Sequence, residues 1–224
     1  MTAYLSKAMA IVGKDILFEM RTKEVLSSVL VFALLVIFIF NFAFEPGSAA
    51  INEVAPGILW VAIAFAAVLS LGRAMVVEQD RGCLEGLMLA PVDRSAIYVG
   101  KTVASLIFVL IIEAVAYPVF AILFNLPLLV VGMAPIMVLG TIGLVVVGTL
   151  FSTIAASTKA REVLLPILFF PVVVPVIIAA VKATGLLIVG GDGSEMQSWV
   201  SLLVLFDVIF ATVSFLCFEY ILEQ

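Results

Sequence analysis

The 224-residue chain contains no histidine. That absence removes the imidazole base of a Ser-His-Asp triad and any histidine proton relay. Cysteine is nearly absent as well. Cys83 and Cys217 stand far apart and form no CxxC pair, so the chain offers neither a disulfide framework nor a zinc site. Positive charge is scarce: 11 Lys and Arg face 16 Asp and Glu, giving a net charge of -5 and a pI near 4.7. A broad basic surface for nucleic acid is thereby excluded. Charged residues of both signs make up only 12% of the chain, about half the share of a soluble domain. Apolar side chains make up 65% of residues, and the mean hydropathy is +1.34. A soluble domain or a disordered tail does not have this composition; a polytopic membrane protein does.

About 20 apolar residues cross the hydrocarbon core as a helix. Charge-free runs of that size predict spans at 25–44, 54–72, 163–181 and 196–218, the last with Asp207 inside it. Between them, an apolar tract after Lys101 contains Glu113 and then runs uncharged from 114 to 158, enough for two more helices. Asn125-Leu126-Pro127 marks the break, because Asn favours a turn and Pro cannot continue a helix. The prediction is all-α, with six transmembrane helices in one domain. The runs are too long and unbroken for barrel strands, and open sheets cannot span lipid. Pro166, Pro171 and Pro175 should kink the fifth span. Residues 185–194, with Gly190-Gly191-Asp192-Gly193, read as an outer loop in which Asp192 sits in a solvated turn or binds a cation.

Lysine and arginine set the orientation. Lys7, Lys14, Arg21 and Lys23 precede the first span, Arg73, Arg81, Arg94 and Lys101 lie between the second and third, and Lys159 and Arg161 lie between the fourth and fifth. Lys182 alone falls on the other side. The basic side is the cytoplasm by the positive-inside rule, which puts both termini there. The first residues lack the pattern of a cleaved signal peptide. Instead Leu5, Met9, Val12, Ile16 and Met20 share one face of a helix, with Lys7, Lys14 and Arg21 opposite and Ile11 and Phe18 blurring the polar side. Residues 1–24 therefore read as an amphipathic helix lying in the membrane interface, or as a plain helix packed on the bundle.

Most of the cytoplasmic polar sequence lies at 76–94. Within it Leu84, Leu87 and Met88 share a helical face, Pro91 stops the element, and Asp93 or Ser95 can cap the helix that re-enters the membrane. A short amphipathic element with acidic flanks suits docking to a soluble partner. Its apolar residues could equally rest on the bilayer surface.

Here the sequence becomes specific. Ala55-Pro56-Gly57-Ile58-Leu59-Trp60-Val61-Ala62, then Glu78, Asp80, Gly82, Leu84-Glu85, Leu87-Met88-Leu89, Pro91 and Lys101 resemble the CcmB family, together with the basic amphipathic start and the proline-rich fifth span. CcmB is the permease subunit, often called heme exporter protein B, of the cytochrome c maturation ABC transporter. The resemblance covers essentially the whole chain. Gly72-Arg73 departs from it, where an acidic residue is expected before the arginine, and Cys83 occupies a variable position. The resemblance implies an ABC-2-like permease in the bacterial inner membrane, present as two copies paired with two ATP-binding subunits. Glu78, Asp80, Gly82, Leu84, Glu85, Leu87, Met88 and Pro91 then form the coupling segment that docks on the ATPase. Further implied partners are a heme-handling membrane subunit with a tryptophan-rich motif, a small single-span subunit and a periplasmic heme chaperone. Heme would be handled by the complex, and ATP would bind the partner subunit. With no histidine, this chain cannot hold heme through imidazole, and the eight methionines read as packing residues.

Other chemistry finds little support. Ser95 to Thr102 resembles a P-loop but lacks its first glycine and leads into a membrane helix, so Lys101 reads as snorkelling at the interface. Two acids lie at membrane depth, Glu113 and Asp207, where a carboxyl group lines a pathway or subunit interface, or else bonds to a neighbouring helix. They would also serve as the coupling site of an ATP-independent secondary transporter, although no internal repeat supports that alternative. Ala62, Ala66 and Ser70 form a small-residue stripe, fit for a homodimer seam or for internal packing. An intramembrane enzyme lacks any nucleophile–base pair.

Overall fold

The structure is a computed structural model that describes residues 2–44, 49–80, 86, 92–126, 132–156, 158 and 160–221. Among the described residues seven helices follow one another: α1 (Thr2–Thr22), α2 (Glu24–Ala43), α3 (Ala49–Asp80), α4 (Arg94–Leu123), α5 (Met133–Ala156), α6 (Arg161–Val189) and α7 (Gly193–Ile221). Six of them, α2 to α7, are long and apolar enough to cross a membrane. The protein is a multi-pass membrane protein. Among the described residues there is no strand, as expected where every backbone group must be satisfied within lipid.

Several spans are longer than their charge-free runs. At 1.5 Å per residue, the 32 residues of α3 extend about 48 Å, well beyond a hydrocarbon core of about 30 Å. The fourth helix begins at Arg94, seven residues before Lys101, because a helix continues through charged residues once its apolar section is anchored. The sixth helix corrects the expected loop at 185–189. Leu186, Leu187, Ile188 and Val189 are apolar and continue the helix past Gly185, which stops only at Gly190 with φ 74°. Pro166, Pro171 and Pro175 all lie inside this helix, with Pro171 and Pro175 on its exposed side. The break after α4 falls where the sequence put it: Asn125 adopts φ 54°, a left-handed conformation that asparagine tolerates.

The helices α3 and α5 are the inner ones, while α2 and α7 are the most exposed. One apolar core runs from Ile37 and Trp60 through Leu144 and Val145 to Phe169, Val176 and Leu203. In lipid this burial has little hydrophobic driving force, so close packing and polar contacts between helices hold the bundle. The small-residue stripe serves that purpose. Ala62, Ala66 and Ser70 are all buried inside the bundle, with Ala66 against Val29, Ala33 and Ile112. The stripe is therefore internal packing, not an outward seam.

At one end, which we call the basic end, Ile11, Ile97, Tyr98, Leu150 and Phe218 cluster together, so the middle of α1 and the start of α4 meet the ends of α5 and α7. At the opposite end the Asn41 amide donates to the carbonyl of Leu123 at 2.8 Å, satisfying an acceptor that the last turn of α4 would otherwise leave open.

Candidate functional site

The first helix is fixed on the bundle, and its fixation shapes the basic end. Its buried face is Ala8, Ile11, Val12 and Glu19, while Leu5, Met9, Leu17 and Met20 remain exposed as an apolar stripe. Both readings of the amphipathic pattern thus describe one helix: one side packs, and the neighbouring side is free for the membrane interface. Ile11, which blurs the polar face in sequence, is the packing residue. It lies where a Cβ on Gly100 would be 2.9 Å away, so glycine lets α1 and α4 touch.

The turn from α1 to α2 is capped in an unexpected way. Lys23 takes φ 53° and supplies no side-chain cap. The Glu19 carboxylate accepts the Leu26 N–H at 2.6 Å instead, so the end of α1 caps the start of α2. Lys101 also departs from expectation. Its ammonium turns inward to Asp15 of α1 at 2.9 Å, with its side chain only 10% exposed, and does not snorkel. Asp15 is shared, since Lys14 approaches it at 3.1 Å. The P-loop-like run forms the first turns of α4, and its Gly100 is occupied by α1. Asp93 stands at the N-cap of α4 with no side-chain bond, and its carbonyl takes the Ala96 amide at 2.9 Å.

Beneath α1 lies a cavity of about 290 Å³. Its walls are Phe18, Val25, Leu71, Met75, Ala104 and Phe108, with Lys14, Asp15, Glu19 and Lys101 contributed from α1 and α4 and Thr149 and Ser152 from α5. A second cavity, of about 320 Å³, lies between α3, α5 and α6, lined by Gly72, Arg73, Glu162 and Pro166. Met75 and Ser152 border both.

The two intramembrane acids flank α5 near mid-depth. Glu113 is buried on α4 and accepts a hydrogen bond from the Thr141 hydroxyl, while its Oε2 has no partner among the described residues. Asp207 is buried on α7, and neither of its oxygens is hydrogen-bonded among the described residues. It packs against Gly143, whose missing Cβ would lie 2.8 Å from its Oδ1. Thr141 and Gly143 are two residues apart, so the acids meet different sides of the same helix. Both face the interior of the bundle. Among the described residues, no group of His, Cys, Asp and Glu could hold a metal ion.

The Ala55–Ala62 motif resolves into a contact of three helices. Trp60 is fully buried on α3, its indole N–H donates to Thr184 of α6 at 2.9 Å, and its outer ring lies over Gly140 of α5. Pro56, one turn before it, approaches Gly185. Of the predicted coupling residues, Glu78 and Asp80 end α3, with only their backbone described. Gly82, Leu84, Glu85, Leu87, Met88 and Pro91 lie outside the described residues.

A family model described as CcmB protein matches residues 6–223 of the chain. The chain belongs to the CcmB family. It is similar to heme exporter protein B of Rhodobacter capsulatus, with 29% identity over 210 residues, 93% of this chain and 94% of that protein. It is likewise similar to heme exporter protein B of Bradyrhizobium diazoefficiens, at 26% identity over 182 residues, 81% of the chain and 82% of the relative. The protein of that name from Escherichia coli K12 shares 36% identity over 73 residues, 33% of each chain.

In this CcmB-family chain, sequence reasoning missed the residues that join helices through side chains. Thr184, Thr141, Asp15 and Glu19 carried no motif. The available signal was polarity inside an apolar run: Thr141 and Thr184 are polar residues within long spans, where a hydroxyl has to find a partner. Asp192 carried a signal that was read too loosely. Its carboxylate accepts the Ser194 N–H at 3.0 Å and the Ser194 hydroxyl at 2.7 Å, and its carbonyl accepts the Met196 amide. It caps α7. These bonds hold its carboxyl below the ordinary value of 3.8.

Proposed function

We propose that the chain is the permease subunit of an ABC transporter for cytochrome c biogenesis. It would couple ATP hydrolysis on a partner subunit to heme export, or to release of the heme-loaded periplasmic chaperone. The observation that carries this reading is the family match across residues 6–223, with a relative named heme exporter protein B matched along 94% of its length. The charge distribution supports the orientation, since ten of the 11 basic residues belong to one end. That end is the cytoplasmic one, in the inner membrane, with both termini there. The helices α3 and α4 leave the bundle at the same end and bracket 81–91, which supports a coupling role for Glu78, Asp80, Gly82, Leu84, Glu85, Leu87, Met88 and Pro91. The working unit would hold two copies of this chain and two ATP-binding subunits. Its further partners would be a heme-handling subunit with a tryptophan-rich motif, a single-span subunit and the chaperone. The chain itself is non-catalytic in this reading. With no histidine the chain offers heme iron no imidazole, so in this reading the iron's ligands would belong to another subunit.

The test is co-purification. The tagged chain is extracted from its native membrane in mild detergent, and the ATPase activity of what accompanies it is measured. Wild type should bring down an ATP-binding subunit, and a variant with Leu84, Leu87 and Met88 changed to Asp should lose it. A homo-oligomer without ATPase activity would overturn the reading and return attention to Glu113 and Asp207 as ion-coupling groups.

A further inference from the structure

We infer that the basic end of α3 is a lever with two seats, and that Arg73 exchanges Ser28 of α2 for Glu162 of α6 as it moves from one seat to the other. The source of that movement, though not the two seats, rests on the permease reading above. The opposite half of α3 is locked. Trp60 is fully buried, bonded to Thr184 and seated on Gly140, and Ala62 and Ala66 are buried beside it. Leu71 fills the space that a Cβ on Gly148 of α5 would need, which fixes α3 at that level. Directly after it stands Gly72, with Ser70 just before. Gly and Ser together are where helices bend, and glycine gives up about 1 kcal/mol of helix propensity. From Arg73 to Asp80 the helix then runs about 12 Å further.

This last stretch has open space on two sides. The cavity of about 290 Å³ lies between Ala74 and Met75 of α3 and Ala104 and Phe108 of α4. The cavity of about 320 Å³ lies between Arg73 and Val76 of α3 and Ala156 of α5 and Glu162 of α6. Met75 borders both. Imperfect packing beside a helix lowers stability in proportion to the volume left open. Two such spaces at one helix end leave room for that end to shift. Charge marks the second seat. The Arg73 guanidinium now donates to the Ser28 hydroxyl at 2.9 Å, a neutral acceptor. Glu162, in the first turn of α6, lines the far wall of the cavity that Arg73 also lines. Arg73 and Glu162 form no ion pair among the described residues. A guanidinium–carboxylate bond is about twice as strong as one to a neutral oxygen. Swinging α3 towards α6 closes this cavity, widens the other and brings the two charges together. In the permease reading, the ATP-binding subunit imposes that swing through 78–91, and the pair sets its end point.

The experiment is pulsed EPR on the full chain, purified with its partners into lipid nanodiscs. Cys83 and Cys217 are changed to Ser, and spin labels are placed at Val77→Cys and Val163→Cys. Without nucleotide the labels should give one long distance, and ATP with vanadate should add a shorter one. Glu162→Gln and Arg73→Gln should each lower the short population by about two- to fivefold, the scale of one exposed ion pair. The double variant should lower it no further, and the exchange of Arg73→Glu with Glu162→Arg should restore it. Ser28→Ala should act in the opposite direction, because it weakens the first seat. Ala156→Leu fills the cavity and should suppress the short distance; if it does not fold, the exposed pair decides. One unchanged distance in a complex with active ATPase, or a short population indifferent to Glu162→Gln, would overturn the inference and leave the permease reading intact. If no ATPase accompanies the chain, the permease reading fails instead. The same labels on the chain alone then decide: a minor short population removed by Glu162→Gln supports the lever, and its absence overturns it.

Discussion

Replacing Gly140 by alanine should destabilise the bundle, and Trp60→Phe should rescue it. Ordinarily glycine to alanine inside a helix gains about 1 kcal/mol. Here the new Cβ would fall inside the outer ring of Trp60, against Cη2, Cζ3 and Cζ2. The indole cannot yield freely, because it is fully buried and its N–H is tied to Thr184 at 2.9 Å. Overpacking of this kind costs about 1–3 kcal/mol. Swinging the ring away forfeits the bond and leaves a buried donor open, for about another 1–3 kcal/mol. After the propensity gain, a net loss of about 3 kcal/mol is expected, roughly 6–12 °C in melting temperature. Phenylalanine lacks the three ring atoms that meet the Cβ. Against Trp60→Phe, the alanine should therefore cost almost nothing, giving a coupling of about 3 kcal/mol in a double-mutant cycle. The assay is thermal unfolding of the four proteins in one detergent, followed by light scattering so that loss of the tryptophan does not alter the signal. Additive effects, or an alanine variant as stable as wild type, would refute the reasoning.

Three other outcomes follow from the polar contacts. Asp15→Ala should cost about 2–3 kcal/mol, less than a fully dry ion pair because both side chains keep some access to solvent, and should expose α1 to limited proteolysis. Adding Lys101→Met should restore most of that loss, and an unchanged proteolysis pattern in Asp15→Ala would count against the contact. Thr141→Val keeps the shape but removes the donor to Glu113, at a cost of about 1–3 kcal/mol in a melting assay, while Thr141→Ser should be nearly silent. Asp192 gives a pH dependence. Its folded value lies below 3.8, so its stabilisation of α7 is present above that pH and is lost as the pH falls through the folded value. Hydrogen exchange at 194–197, corrected for intrinsic rates, should accelerate there in wild type but not in Asp192→Asn.

Much of the architecture was legible in the chain alone. Lipid permits few backbone solutions, so apolar run length reports span number directly, and the break at Asn125 needed only turn chemistry. Charge asymmetry predicted an orientation, and the residues around Trp60 and 78–91 pointed to the family that the full-length comparison then showed. Span ends were less legible. A helix anchored by its apolar middle reaches back to Arg94 through Lys101, and Gly185 read as the start of a loop although the apolar residues 186–189 carry the helix past it.

The site depended on contacts between residues distant in sequence. Residues 15 and 101, 60 and 184, and 113 and 141 meet only because particular faces of particular helices are apposed. Periodicity defines an apolar face but not its neighbour. The α1 pattern therefore could not tell that Ile11 packs on Gly100 while Leu5 and Met9 stay outside. For the same reason the stripe of Ala62, Ala66 and Ser70 could be a seam or a core until the tertiary structure buried it. The sequence by itself determined how many helices cross the membrane, because that follows from local hydrophobicity. Only the tertiary structure decided which polar groups satisfy one another and where cavities remain, because those depend on how the helices are rotated against each other.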